Sequence, residues 1–219
     1  MREKLFMYPG YDDDRNLKAV EMASTVIFGF TGKGKTVLIE SILKAIKEHN
    51  PLRECDSVYY DAIPMDETDF MNVLKAIKDD IDERLKYLKD NRLPTSIPNL
   101  IRQGKECPYT EVVYAIDGYN RDIYKDPIAT EMLISILNSD KVSGVHLIMS
   151  FQTMSTINMD ILTRFQHRLC LETSKETYIA AVSSDVSDEF SDKERYVIYS
   201  NKGDIIRKYT KLKAFNLAE

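Results

Sequence analysis

The sequence predicts an α/β fold in which a mostly parallel sheet is covered by helices on both faces. Two features of the 219-residue chain lead to this prediction. Short apolar, β-branched segments alternate with amphipathic helical segments, which is the order that parallel strand–helix–strand units produce. The strand segments are apolar at nearly every position, as expected of strands buried on both faces of a sheet. With 43% hydrophobic residues, the chain can form a core without disulfide or metal support.

The first half of the chain supplies two strands and the helices that accompany them. Turn-forming residues dominate positions 9–16, and we expect a short helix at 16–22 after them. We then expect a strand at 25–28, a helix at 35–47, a strand at 57–62 and a long helix at 66–90. The long helix carries an apolar stripe with spacings of three and four, and its other side is charged. Asp82 and Lys86 are expected to form an i,i+4 ion pair there.

The second half continues the same alternation. Prolines and glycines at 92–108 predict a loop with a short helical stretch. We then expect a strand at 112–116 ending at Asp117, a helix at 128–138, a strand at 145–150 ending at Gln152, a short helix at 159–166, a strand at 168–171, a helix at 173–182 and a hairpin made of 196–199 and 204–209. Repeats, low-complexity tracts and linkers do not interrupt the pattern, so we predict a single domain over residues 1–219.

The composition argues against several kinds of protein. The net charge is −5, which does not fit a nucleic-acid footprint over the whole surface. No apolar run reaches the roughly 18 residues that cross a bilayer, and the first residues are too charged for a signal peptide. The three cysteines are widely spaced and lack a Cys-x-x-Cys pair, so neither a disulfide framework nor a zinc site is expected. The three histidines are scattered, and we interpret them as structural rather than catalytic.

The strongest motif lies between the predicted strand at 25–28 and the helix at 35–47. It matches G-x-x-x-x-G-K-[ST] at every fixed position and consists of Gly29, Phe30, Thr31, Gly32, Lys33, Gly34, Lys35 and Thr36. Glycines let successive amide groups turn toward one centre, and a helix N-terminus favours an anion. Lys35 is expected to reach the β- and γ-phosphates of a nucleotide, and Thr36 to offer its hydroxyl to Mg²⁺.

A phosphate loop of this kind works together with a carboxylate at the end of a neighbouring strand. Asp117 follows five mainly apolar residues and is the preferred candidate for holding the water shell of Mg²⁺. Asp61 follows a shorter and less apolar strand and is the alternative. Gly118 stands where many hydrolysing ATPases have a glutamate that activates water. Slow hydrolysis, hydrolysis that needs a residue from another subunit, and no hydrolysis therefore all stay open.

Five segments of the chain together resemble a known family. They are the polar segment at 10–16, the phosphate loop at 29–36, the strand ending at Asp117, the apolar strand with its polar end at 145–153, and the helix–strand segment at 161–171. In this order they resemble FtsK/SpoIIIE-type P-loop ATPases, and more narrowly the C-terminal ATPase modules of EssC-type proteins of type VII secretion. The resemblance covers nearly the whole chain, and its last two segments are more specific than the phosphate loop.

The resemblance implies a RecA-like P-loop NTPase core that uses ATP and Mg²⁺. It implies that Gln152 senses the γ-phosphate. The partners that it implies are sister ATPase modules of the same chain or ring subunits, and small helical secreted proteins that dock through a C-terminal signal. It also implies that residues 1–219 are a cytoplasmic domain of a longer, membrane-anchored protein. Membrane contact would then come only through the rest of that protein.

The chain also departs from the family that it resembles. Gly118 replaces the family's catalytic glutamate, and residues 153–155 differ from the Arg-Pro that follows the sensor in DNA-translocating relatives. We therefore expect a nucleotide-binding module of a secretion ATPase, with weak or no hydrolysis and a regulatory or substrate-docking role. An active ATP-driven DNA translocase of the FtsK or conjugation type is the main alternative, and a nonmotor P-loop protein such as a small-molecule kinase is a further one. The acidic balance argues against DNA as a partner.

Two arginines are candidates for stabilising charge in a transition state at a subunit boundary. They are Arg164 and Arg168, and Arg168 joins Asp117 and Gln152 as the candidate catalytic residues. A surface salt bridge or an arginine that packs on a strand is the alternative for both.

Overall fold

A computed structural model of the protein describes residues 4–50, 54–119, 122–187, 196–202 and 210–213. Within these ranges, seven strands form one sheet and two more form a small ribbon. The strands are β1 (Phe6–Met7), β2 (Val20–Glu21), β3 (Thr25–Phe28), β4 (Cys55–Asp61), β5 (Glu111–Asp117), β6 (Val145–Phe151), β7 (His167–Cys170), β8 (Tyr196–Asn201) and β9 (Thr210–Lys213). The helices are α1 (Lys35–His49), α2 (Glu67–Asp90), α3 (Ile97–Arg102), α4 (Pro127–Ser143), α5 (Met159–Leu162) and α6 (Lys175–Val182).

The main sheet is mostly parallel, which confirms the predicted class. Its order is β4-β5-β6-β3-β7-β8-β9. The strands from β4 to β7 in this order run parallel, whereas β8 and β9 are added antiparallel at one edge. Because the parallel strands share one direction, their carboxyl ends meet at the same end of the sheet, which is where ligands bind in open α/β sheets.

Helices cover both faces of the sheet, as predicted. Alternate strand residues point to opposite faces, so each face has its own apolar core. On one face, Val113 and Ile148 pack with Ile39 and Ile42 of α1. On the other face, helices α2, α4 and α6 supply the apolar side chains that pack against the strands. The central strands β3, β5 and β6 are therefore buried on both faces and are mostly apolar, whereas the edge strand β4 carries polar residues and is only partly buried.

The predicted stripe of α2 is buried, but its predicted ion pair is wrong. Apolar positions of the stripe lie in the core, as the three-and-four spacing indicates. Asp82 pairs with Lys78 rather than with Lys86, and Lys86 lies 2.5 Å from Asp90. All four residues obey the i,i+4 rule, in which an acid and a base one turn apart can pair in either direction. The sequence therefore identified the charged face and misassigned the partners within it.

The predicted helix at 16–22 is wrong. The Asp12 carboxylate accepts a hydrogen bond from the backbone amide of Asn16 at 2.8 Å, which holds this segment in a turn. Val20 and Glu21 then pair with Phe6 and Met7 as the β1–β2 ribbon. Strand pairing with a segment before the turn thus takes the backbone hydrogen bonds that a helix would have used.

The remaining boundaries differ in length or fall partly outside the described residues. Helix α4 continues to Ser143, five residues beyond the predicted end, whereas α5 stops at Leu162. After α5 the amide of Gln166 donates to the carbonyl oxygen of Ser24, so the chain leaves the helix early to reach β7. The predicted second hairpin strand at 204–209 lies outside the described residues, and β8 pairs antiparallel with β9.

A buried histidine links two strands and a helix at the amino ends of the parallel strands. His146 is 3% exposed, its Nδ1 contacts Oδ1 of Asp140, and its Nε2 lies 3.0 Å from Oε2 of Glu111. The backbone amide of Ser24 donates to the other oxygen of Asp140 at 2.5 Å. Burial alone would raise the pKa of Asp140, but the charge and hydrogen bond of His146 and the donors of Ser24 together lower it. The cluster joins α4, β5, β6 and the start of β3.

We predict that Asp140→Asn lowers the free energy of unfolding by about 3 kcal/mol at pH 7, because it removes one charge from a buried hydrogen-bonded cluster. Urea denaturation measures the effect. The control is Asp82→Asn, which breaks a surface pair and should cost less than about 1 kcal/mol.

Wild type and Asp140→Asn also test how the stabilisation by Asp140 depends on pH. A carboxylate whose pKa is lowered by folding stabilises the protein above its unfolded pKa of about 3.9, and this contribution is lost as the pH falls through the folded pKa. The difference between wild type and Asp140→Asn should therefore shrink below about pH 4. A difference that stays constant on acidification would contradict a stabilising charge on Asp140.

Candidate functional site

The carboxyl ends of the parallel strands bring most of the predicted site residues together. Gly29 and Gln152 directly follow residues that are paired at the ends of β3 and β6. Asp61 and Asp117 are themselves paired at the ends of β4 and β5. The phosphate loop therefore lies beside the predicted sensor, with the two acidic candidates farther along the same edge.

The phosphate loop is anchored at its first two residues and open beyond them. The amide of Gly29 donates to the carbonyl oxygen of Phe151 at 3.1 Å, and the amide of Phe30 donates to that of Glu172 at 2.8 Å. Lys33 adds an exposed ion pair to the Glu172 side chain at 2.5 Å. Two neighbouring strand ends thus fix the base of the loop.

The open part of the loop leads into the N-terminus of α1. Gly32 and Gly34 have φ values of 76° and 93°, which favour glycine, and a Cβ atom added at either one would meet no atom within 4 Å. Gly34 is the N-cap residue just before α1, and as a glycine it has no side chain to cap the helix. The first amide groups of a helix have no partner within the helix, and the helix dipole favours an anion at this end. The loop therefore has the room and the donors that a phosphate group needs.

Lys35 is folded back onto its own loop. Its Nζ donates to the carbonyl oxygen of Gly29 at 2.6 Å and to that of Phe30 at 3.2 Å. Partial burial lowers the pKa of the ammonium, and the charge of Asp117 works in the opposite direction. The lysine therefore has carbonyl partners in this structure that phosphate oxygens could replace.

Asp117 lies at the centre of a group of hydroxyl donors. Asp117 is 2% exposed. Its Oδ2 accepts hydrogen bonds from the Thr36 hydroxyl at 2.5 Å and from the Tyr59 hydroxyl at 3.0 Å. Its Oδ1 accepts a hydrogen bond from Ser150. Partial burial, followed by the charge and hydrogen bonding of Asp117, raises the pKa of the Tyr59 phenol. The phenol is therefore a donor at neutral pH.

Of the two acidic candidates, Asp117 is the one that contacts the phosphate-loop helix. Asp61 is exposed, and its Oδ1 accepts from the backbone amide of Ile63 at 3.1 Å. This is the bond of a side chain that caps the end of its own strand. The structure therefore brings Asp117 to Thr36 and leaves Asp61 at the rim.

The residue after Asp117 has a backbone that suits glycine. Gly118 has a φ of 81°, and a Cβ atom placed there would lie 2.6 Å from Cγ1 of Ile63. Its amide donates to the Ser150 hydroxyl at 2.8 Å, which fixes the peptide against β6. A glutamate at this position would meet both an unfavourable φ and a side-chain clash.

The predicted sensor and the predicted arginines lie at different places. Gln152 is half-buried beside the phosphate loop, and its carbonyl oxygen accepts from the Thr173 hydroxyl at 2.7 Å. Arg168 is paired with Val26 of β3, so it lies roughly 10 Å before the phosphate loop along the strand direction. Arg164 precedes β7, lies at the opposite end of the sheet and contacts α4.

Arg168 makes a structural contact in this chain. Its Nη1 donates to the carbonyl oxygen of Ala181 in the last turn of α6 at 3.1 Å. This is the packing alternative that the sequence left open. A catalytic role for Arg168 stays a prediction, and it does not follow from any contact with the phosphate loop of the same chain.

Sequence reasoning missed three residues that surround the predicted ones. They are Tyr59 and Ser150, which donate to Asp117, and Glu172, which anchors the phosphate loop. One signal was available for Tyr59. It stands two residues before Asp61 in a strand and so shares its face, but only the pairing of β4 with β5 places that face beside Asp117.

Comparisons with known proteins give matches among solved structures. No protein-family profile matches the sequence, and no curated protein matches it. The type VII secretion ATPase EccC of Thermomonospora curvata matches with a TM-score of 0.74 and 15% identity over 97% of this chain and 29% of EccC. Its ATPases 2 and 3, solved in complex with a signal sequence peptide, match with a TM-score of 0.69 and 10% identity over 96% of this chain and 41% of that one.

Two further matching structures are those of EssC and of a conjugation coupling protein. EssC of Geobacillus thermodenitrificans, solved as ATPases 2 and 3, matches with a TM-score of 0.71 and 13% identity over 100% of this chain and 46% of that one. The pCW3 conjugation coupling protein TcpA, solved with ATPγS, matches with a TM-score of 0.66 and 14% identity over 98% of this chain and 67% of TcpA. The chain thus spans less than half of the EccC and EssC chains.

At 10–15% identity, these structural matches show the fold and no more. The mostly parallel sheet with helices on both faces is the fold of the ATPase domains of these proteins. The resemblance to FtsK/SpoIIIE-type ATPases is therefore confirmed at this level, and the chain has the RecA-like P-loop ATPase fold found in the type VII secretion ATPases EccC and EssC and in the coupling protein TcpA.

Proposed function

We propose that this chain is a nucleotide-binding module of a type VII secretion ATPase, with weak or no ATP hydrolysis. The observation that carries the proposal is the open, uncapped N-terminus of α1 next to the Thr36–Asp117 hydrogen bond. Amide donors for phosphate oxygens and two residues that could hold a metal ion would then lie side by side, at the edge where α/β sheets bind ligands.

The residues of the loop suggest how a nucleotide would be held. The first amide groups of α1 would donate to phosphate oxygens, and Lys35 would exchange its carbonyl partners for the same oxygens. Gln152 lies beside the loop and would contact the terminal phosphate. ATP is proposed because TcpA, which shares the fold, was solved with an ATP analogue.

Thr36 and Asp117 fit a site for Mg²⁺. Among the residues that the structure describes, no three His, Cys, Asp or Glu side chains come together as a metal site. Mg²⁺ in nucleotide sites needs fewer protein ligands, because phosphate oxygens and water complete its shell. Bound there, the ion would supply positive charge that neutralises phosphate oxygens. Thr36 would offer its hydroxyl oxygen, and Asp117 would hold the water shell.

The residue that follows β5 supports the proposal of weak hydrolysis. Gly118 stands where a water-activating glutamate would be expected, and its φ of 81° disfavours any side chain there. Hydrolysing enzymes of this kind need a base within hydrogen-bond reach of the attacking water. Within the described part of the chain, Asp117 itself is taken up by three hydroxyl donors. Any robust turnover would then need a residue from another module.

The proposed setting is a longer protein with several modules. EccC and EssC were solved as chains that hold more than one ATPase, and this chain covers only part of either. We therefore propose that residues 1–219 form one cytoplasmic ATPase domain that contacts sister modules, and that small helical secreted proteins dock on it. The EccC structure with a signal sequence peptide supports the docking role. None of the helices in the described ranges is long and apolar enough to cross a membrane.

A DNA translocase remains the alternative, because TcpA has the same fold. Tracking along DNA requires basic side chains that neutralise phosphates, and this chain has a net charge of −5. The charge favours the secretion module. ATP turnover that rises on addition of DNA and falls steeply with salt would favour the translocase.

We predict that Lys35→Ala raises the Kd for a fluorescent ATP analogue by roughly tenfold to hundredfold, because hydrogen bonds from a charged donor to phosphate are lost. Lys44→Ala is the matched control, since Lys44 lies on the same helix and forms only an exposed pair with Glu48. Equal affinity of the Lys35→Ala and Lys44→Ala proteins would contradict nucleotide binding at this loop.

We predict that Gly118→Glu destabilises the protein without creating an ATPase. The positive φ should cost about 1–2 kcal/mol, and the contact with Ile63 should add to this. Gly104→Glu is the control for the backbone effect alone, because Gly104 also has a positive φ and a Cβ there meets nothing within 4 Å. Urea denaturation and phosphate release measure the two effects.

Two results would count against this view of Gly118. One is a Gly118→Glu protein as stable as Gly104→Glu, which would mean that Ile63 does not restrict the site. The other is robust phosphate release by either the wild type or Gly118→Glu.

A further inference from the structure

Tyr59 donates to the same carboxylate oxygen as the phosphate-loop threonine. Its hydroxyl lies 3.0 Å from Oδ2 of Asp117, and the Thr36 hydroxyl lies 2.5 Å from that oxygen. The other carboxylate oxygen accepts from Ser150. Nothing in the phosphate-loop motif requires the tyrosine, which comes from β4, an edge strand of the described sheet.

These three donors leave the carboxylate with little accepting capacity. An ionised carboxylate has roughly four lone-pair positions for hydrogen bonds. Protein hydroxyls fill three of them, and Asp117 is 2% exposed, so that water reaches it poorly. A Mg²⁺ ion held through its waters would need these positions, because each bound water donates to the carboxylate.

The three hydroxyls are not equally dispensable. Ser150 is buried and also accepts from the Gly118 amide at 2.8 Å, so it is part of the sheet structure. Thr36 can offer its oxygen to a metal ion while its hydrogen still points to Asp117. Tyr59 is 40% exposed and can turn toward solvent. Tyr59 is therefore the donor that a metal-bound water can displace.

We propose that Tyr59 is a positioning residue that caps Asp117 and thereby weakens the dependence of nucleotide binding on Mg²⁺. This inference rests on the proposed function and deepens it. Without Mg²⁺, the Tyr59 hydroxyl donates to Asp117 and helps to keep the carboxylate against Thr36. When Mg²⁺ accompanies the nucleotide, the Tyr59 hydroxyl would compete with metal-bound water for Oδ2 of Asp117, which reduces the gain in affinity from the metal.

Tyr60 provides a matched control on the same strand. It is the next residue along β4, so its side chain points to the opposite face. There its ring stacks with that of Tyr114, with centroids 6.5 Å apart and an interplanar angle of 10°. Loss of the Tyr60 hydroxyl removes the same atom from the same strand without touching Asp117.

The experiment compares the Kd for a fluorescent ATP analogue in excess Mg²⁺ with that in EDTA, for the wild type, Tyr59→Phe and Tyr60→Phe. The ratio of the EDTA value to the Mg²⁺ value measures the gain from the metal. We expect Tyr59→Phe to raise this ratio by about threefold to tenfold, which corresponds to one hydrogen bond to a charged group in a partly exposed position. Tyr60→Phe should keep the wild-type ratio.

The ratio separates positioning from a general effect on the fold. A structural loss in Tyr59→Phe would weaken binding equally in both conditions, and an unchanged or lower ratio would overturn the inference. A wild type that binds in neither condition would contradict the proposed function. If the wild type did not bind but Tyr59→Phe bound the nucleotide in Mg²⁺, the role of Tyr59 would be supported on its own. Absence of binding in both proteins would overturn both proposals.

Discussion

The buried carboxylate of Asp117 is the interaction on which the candidate site depends. A carboxylate that is 2% exposed needs hydrogen-bond donors, and Asp117 receives them from three different elements. Thr36 belongs to α1, Tyr59 to β4 and Ser150 to β6. The phosphate-loop helix is thereby fixed relative to the strands on either side of β5. A single buried carboxyl group thus holds the phosphate-loop helix against β4, β5 and β6.

Sequence alone predicts the parts of this arrangement that are local. The phosphate loop and the strand that ends at Asp117 are continuous patterns, and their places in the fold follow from strand and helix periodicity. Tyr59 and Ser150 could not be found in this way, because their contact with Asp117 depends on strand pairing between segments far apart in the chain. The helix predicted at 16–22 failed for the same reason, since its residues pair with β1.

One end of the sheet carries a structural cluster, and the other end carries the candidate site. At one end, His146 contacts Asp140 and Glu111, and this cluster joins the strands to α4. At the other end, Gly32, Gly34 and Gly118 take positive φ values, and the Lys35 ammonium donates to carbonyl oxygens of its own loop. The first amide groups of α1 have no partner within the helix there, which leaves donors for a ligand. The fold itself is shared by secretion and conjugation proteins, so the function has to be argued from this second end.

Isothermal titration of the wild-type chain with Mg·ATP tests the central claim most directly, because it requires neither a label nor turnover. Saturable heat with one nucleotide bound per chain is the expected result, and the same titration with the Thr36→Val protein should be clearly weaker. Absence of saturable heat up to millimolar nucleotide would contradict a nucleotide site between the phosphate loop and Asp117.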